Sequence, residues 1–133
     1  MKLEKYILLM TLLTVSSSIK PYKIIRNSTE ALELAKPYLP ENPIVFEAGA
    51  YNGNDTIIMS KFWPKGTIHC FEPVPDLYDQ LVIKAASAHN IKAYDSAIGD
   101  YNGNATLYIS QHVNNPTISS GSSSLLKPKD HLV

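Results

Sequence analysis

The stretch Ile44-Val-Phe-Glu-Ala-Gly-Ala-Tyr-Asn-Gly-Asn-Asp-Thr56 decides the fold. It opens on an apolar run, Ile44 to Phe46, with the length and β-branched character of a buried strand. Glu47, Gly49 and Gly53 follow, and Asn54, Asp55 and Thr56 then supply a helix-start signal. Strand, glycine turn and helix in that order open a nucleotide-binding α/β unit. The glycines let the backbone approach a ligand where a Cβ would clash, and the helix beyond them begins with unpaired N–H groups. A second apolar run, Thr67-Ile-His-Cys-Phe71, ends in Glu72 at about the spacing such units show.

Working outward, Ile57, Ile58, Phe62 and Trp63 fall at helical spacing after Gly53, and Pro64-Lys-Gly66 turns the chain back. Strand, helix and second strand predict a right-handed crossover with parallel strands. Pro75-Asp76 starts the next helix, with Leu77, Leu81, Ala85 and Ala88 as its apolar stripe. Ile91 to Tyr94 reads as the third strand, with Asp95 and Ser96 at its end, on the edge shared by Gly49 and Glu72. Upstream, Asn27 and Glu30 have the spacing of a helix cap, and Pro37 and Pro40 close that helix. Downstream, an Asn-Gly turn at 102–103 precedes Ala105 to Ile109, which alternates as an exposed strand would. Gln111 to Ser124 is polar and reads as a loop.

Three groups of residues resemble a known family. Val45 to Gly53, Phe71-Glu-Pro-Val-Pro-Asp-Leu-Tyr78, and Ala97-Ile-Gly-Asp100 with Gly103 look like the FkbM-type methyltransferases, which depend on S-adenosylmethionine. The resemblance covers roughly residues 43 to 126. It implies an α/β, Rossmann-like class I methyltransferase fold, a partial parallel sheet flanked by helices. Glu72 would then hold the ribose diol of S-adenosylmethionine, a task that suits a group accepting two hydrogen bonds and donating none. Glu47 would sit under the turn near the methionine ammonium. Asp95, beside Ser96, would take the adenine amine, although a surface carboxylate explains Asp95 almost as well. The implied reaction is methyl transfer to a hydroxyl of a small molecule or glycan. No catalytic base is named by the sequence. His112 is the one histidine on the loop that the resemblance places on the substrate side.

Other classes fit less well. A dinucleotide fold wants G-x-G-x-x-G, and Tyr51 stands where the second glycine belongs. Lys plus Arg number 12 and Asp plus Glu number 12, so net charge makes no case for nucleic acid. Cys70 is the lone cysteine, so neither an internal disulfide nor a zinc site is expected and a buried structural thiol is. At 133 residues the chain holds one modest domain, fewer residues than a seven-stranded class I sheet needs. The expectation is a C-terminally incomplete domain over 43–133, with a helix and linker over 19–42. Such a chain would bind cofactor better than it turns over, with a non-catalytic nucleoside-binding or interaction remnant of the same fold as the alternative, and an unpaired edge beyond the third strand would favour self-association. Residues 1–18 carry Lys2, Lys5, an apolar run from Tyr6 to Val15, and three serines. That is the pattern of a secretory signal or a retained membrane anchor, with a helix packed on the domain as the alternative. Lys20, Lys23 and Arg26 weigh against export.

Overall fold

The computed structural model describes residues 24–112, 114–119 and 121–129. The signal-like segment 1–18 therefore lies outside the described residues. Helix α1 (Ser28–Ala35) is capped as the spacing predicts: the Asn27 side chain accepts the Glu30 N–H at 2.9 Å, and the Glu30 carboxylate reaches back to the Arg26 N–H at 3.1 Å. Pro37 follows in a single 3₁₀ turn, Lys36–Tyr38, which ends the helix.

The chain then forms β1 (Ile44–Ala48), α2 (Asn54–Phe62), β2 (Thr67–Phe71), α3 (Pro75–Ala85) and β3 (Ile91–Tyr94). These strands make a parallel sheet in the order β1-β2-β3, with Ile44 opposite Thr67 and Ile68 opposite Ile91. The result is a small α/β unit, a partial Rossmann-like sheet. Two successive crossovers step in the same direction, so both helices fall on one face. Val45, Ile68, Cys70, Ile91 and Ala93 point into that layer. They meet Met59 and Trp63 of the α2 end and Leu81 of α3, and Leu32 brings α1 onto the same side.

Flanking helices are thus present on one face only among the described residues. The expectation of a buried first strand holds for that face alone: Ile44 and Phe46 are 68% and 65% exposed on the other. Within the described residues β1 and β3 are both edge strands.

The buried face of α2 also differs from the expected one. Thr56, Met59, Ser60 and Trp63 are buried, whereas Ile57, Ile58 and Phe62 are half-buried. Two hydroxyls can face the core because each has a partner there. Thr56 donates to Glu47 at 2.5 Å, and Ser60 donates to Asn90 at 2.6 Å. Burying them unpaired would be costly.

The last segment departs further. Ala105–Ile109 is not a strand; only Tyr108 pairs, in a two-way backbone bridge with Ser124 at 2.9 and 3.0 Å. Beyond it the stretch read as a loop forms a hairpin, β4 (Gln111–His112) against β5 (Asn115–Ser119). Polar composition hid this pairing, because the ladder uses backbone groups that every non-proline residue carries.

Candidate functional site

The turn after β1 is built by two left-handed glycines and one left-handed tyrosine. Gly49 has φ +76°, Tyr51 +54° and Gly53 +79°. The N–H groups of Gly49 and Ala50 both donate to the Phe71 carbonyl at 2.9 Å, and Gly53 N–H closes the turn on the Ala50 carbonyl. Tyr51 is the position that needs explaining, since a left-handed conformation costs an ordinary residue about 1–2 kcal/mol. Glu72 supplies the compensation. One oxygen accepts the Tyr51 N–H at 2.7 Å, and the other accepts the Val74 N–H at 2.9 Å. The carboxylate is 4% exposed, so it acts as a clamp between the glycine turn and the end of β2. Each oxygen keeps a second acceptor position.

A cavity of about 280 Å³ opens beside this clamp, at the carboxyl ends of β1 and β2. Gly49, Tyr51, Glu72 and Pro73 form its floor; Ala97, Leu107 and Ser123 to Leu125 close the far side. The Tyr108–Ser124 bridge brings those two segments together, which the sequence did not reveal. A neighbouring cavity of about 410 Å³ shares Pro73, Ala97, Leu107 and Leu125 with the first and is lined by Asp95, Ser96 and Asp100. Among the described residues, neither cavity is lined by a lysine, arginine or histidine. The charged groups that line the pair, among the described residues, are therefore acidic: Glu72, Asp95 and Asp100.

The six predicted residues separate accordingly. Gly49 and Glu72 line the first cavity, and Asp95 and Ser96 line the second. A Cβ built at Gly49 meets nothing within 4 Å, whereas one at Gly53 would lie 2.7 Å from the Leu81 Cδ1. Gly53 is a packing glycine between the turn and α3, and it lines neither cavity. Glu47 also lines neither; it points under α2, where Thr56 donates to it. His112 belongs to β4, and its side chain lies outside the described residues. Tyr51, Leu107 and Ser123 to Leu125 are among the lining residues that sequence reasoning did not select.

Burial raises the Glu47 pKa above its ordinary 4.5, opposed by the Thr56 hydrogen bond and aided by nearby Asp55. The folded-state value exceeds the unfolded one, so this group favours folding below pH 4.5 and that contribution is lost as pH rises through the folded value. Glu47→Gln is then expected to stabilise the domain at pH 7 and to have little effect at pH 4, which thermal unfolding across that range checks. Burial, with the Glu47 charge, also pushes the Cys70 thiol up to about 11. A fully buried thiol of that kind is inert and structural.

A third cavity of about 320 Å³ lies at the opposite edge of the sheet, between the 3₁₀ turn and the end of α2, lined by Leu39, Pro40, Phe62 and Trp63. It is remote from the glycine turn. No helix among the described residues is long and apolar enough to cross a membrane, and none of their His, Cys, Asp and Glu side chains cluster as metal ligands.

No family model matches this chain, and no curated protein does. Among solved structures, a candidate rRNA methylase from Clostridium thermocellum is similar over 56% of this chain and 45% of its own, at 16% identity and a TM-score of 0.45. The match thus spans less than half of that protein's length, and a likeness so distant has no bearing on chemistry.

Proposed function

We propose that this chain is the cofactor-binding part of an FkbM-type methyltransferase, and that it takes S-adenosylmethionine in the cleft at Gly49 and Glu72. The observation that supports the proposal is the union of an open glycine turn with a cleft whose charged lining, among the described residues, is acidic. A dinucleotide brings a pyrophosphate, which needs the close backbone approach that Tyr51 denies it; S-adenosylmethionine brings a sulfonium and an ammonium beside one carboxylate, a net positive charge that acidic residues attract. The adenosine would occupy the cavity of about 280 Å³, and the spare acceptor positions of Glu72 would take the ribose hydroxyls. Asp95 and Ser96, across the shared wall, would contact whichever end of the cofactor extends there.

The acceptor is a hydroxyl on a small molecule or glycan. Methyl transfer to oxygen needs the acceptor held in line with the sulfonium methyl, and orientation alone can supply roughly 7–11 kcal/mol. A base assists the step. The one carboxylate among the described residues that line the first cavity already accepts two backbone N–H groups, an observation that favours a second reading: binding without efficient turnover.

Gly49→Ala separates ligand contact from folding. No protein atom obstructs the new methyl, so stability should fall only by the left-handed cost of about 1–2 kcal/mol. Cofactor binding, measured by calorimetry, should fall at least tenfold, because the methyl occupies space the ligand needs. Unchanged affinity in a folded variant would remove the glycine turn from the site.

A further inference from the structure

The cavity of about 320 Å³ at the amino ends of β1 and β2 shares no described residue with the cofactor cleft. Pro37 ends α1 and turns the chain, so Leu39 and Pro40 line the cavity together with Phe62 and Trp63 from the end of α2. Its body is therefore apolar. At roughly 30 Å³ for a water's share of liquid volume, it takes about ten heavy atoms.

The polar groups around that body are unmatched in one sense, as donors. Trp63 is 3% exposed, and its indole Nε1 has no hydrogen-bond partner among the described residues. An indole N–H donates and cannot accept, and a buried donor left unpaired is unfavourable enough to call for an explanation. Lys36, a second lining residue, holds its ammonium 5.0 Å from the centre of the Phe62 ring and has no acidic partner among the described residues. Lys65 differs, because the Glu41 carboxylate meets it at 2.8 Å. That pair cancels, which leaves Lys36 as the net charge of the described lining.

We infer that this cavity binds a small carboxylate with an apolar body, its chain against Leu39 and Phe62 and its oxygens between the Lys36 ammonium and the Trp63 indole. A carboxylate suits both groups at once, since it carries a negative charge and accepts on two oxygens. An apolar cavity with few polar groups that converge is the usual form of a small-molecule site. Nε1 is closed to solvent, so the acceptor meets it as the indole turns toward the cavity. Binding thus moves the one tryptophan in the sequence. The inference stands apart from the cofactor reading, and either can fail without the other.

The test is titration of the full chain with octanoate, followed by tryptophan emission excited where tyrosine does not absorb. A saturable, one-to-one change in emission is expected. Octanol has the same body without the charge and should bind about fivefold more weakly, while octylamine should give no saturable change. Lys36→Met keeps the exposed apolar stem, removes the charge, and should weaken octanoate by about threefold to fivefold. Trp63→Phe, shown to be folded by circular dichroism and titrated by calorimetry, should weaken it by about tenfold, as loss of a hydrogen bond to a charged group does. Should that variant fail to fold, Lys36→Met still decides. Emission unchanged by octanoate, equal affinity for octanol, or saturable binding of octylamine would overturn the inference. So would undiminished affinity in Lys36→Met or in folded Trp63→Phe, which would put the ligand elsewhere on the protein.

Discussion

Glu72→Ala is expected to lower the unfolding free energy by about 3–5 kcal/mol with no cofactor present, since hydrogen bonds to a charged group contribute about 1.5–3 kcal/mol each. Two backbone donors lose their acceptor at once, those of Tyr51 and Val74. The Tyr51 donor belongs to a residue held at φ +54°, so the left-handed turn loses the contact that compensates its strain. A midpoint drop of about 10–20 °C should accompany the loss. Glu72→Gln keeps one acceptor oxygen and turns an NH₂ toward the other donor; its loss should be about half as large. Chemical denaturation of the three proteins checks the order. An alanine variant within about 1 kcal/mol of the parent would show that the clamp does not hold the turn. A consequence follows for cofactor studies: weakened binding in Glu72→Ala mixes lost ribose contacts with a collapsed turn, and Gly49→Ala is the cleaner probe.

Asn90→Ala should cost about 2–4 kcal/mol, through lost hydrogen bonds and the polar groups left buried behind them. Asn90 is 8% exposed and lies just before β3. Its amide donates to the carbonyls of Ser60 and Trp63 at 3.3 and 3.0 Å, and its oxygen accepts from the Ser60 hydroxyl at 2.6 Å. Its backbone carbonyl accepts the Ile68 N–H at 2.8 Å, so one residue ties the end of α2 to β2 and to the start of β3. Asn90→Asp is the decisive companion. It preserves shape and the acceptor for Ser60, yet sets an oxygen against two carbonyl oxygens in place of the donor. The aspartate variant should be at least as unstable as the alanine one, measured by urea unfolding at pH 7. An aspartate variant as stable as the parent would mean that packing, and not the amide donor, carries the contribution.

These two residues also show what was legible in the sequence. Glu72 stood out because an acid after an apolar strand, at a fixed distance from a glycine turn, is a recognisable pattern. Its structural duty to Tyr51 was not, because that contact depends on a left-handed backbone at a non-glycine position. Asn90 carried no signal at all: one asparagine in a turn between a helix and a strand reads as turn chemistry. The same limit applies to α2, where periodicity selected Ile57, Ile58, Phe62 and Trp63: Trp63 is buried, but the other three are half-buried while Thr56 and Ser60 face the core. Apolar spacing locates a helix well, but it mistakes the buried face when hydroxyls find partners across the core. The parallel pairing of successive strands was legible from the strand-helix-strand pattern, whereas the strand order and the helix layer on one face of the described sheet were not. The hairpin at 111–119 was invisible for the opposite reason, since strands of such polar sequence leave no hydrophobic alternation to read.

The most direct measurement is a calorimetric titration of the purified chain with S-adenosylmethionine, run beside one with NAD. Saturable one-to-one binding of S-adenosylmethionine is expected, weakened by added salt because the acidic cleft attracts a cationic ligand. NAD should show no binding, since Tyr51 stands where a dinucleotide site needs its second glycine for close backbone approach to the pyrophosphate. Tight NAD binding with no heat from S-adenosylmethionine would contradict the assignment of this cleft.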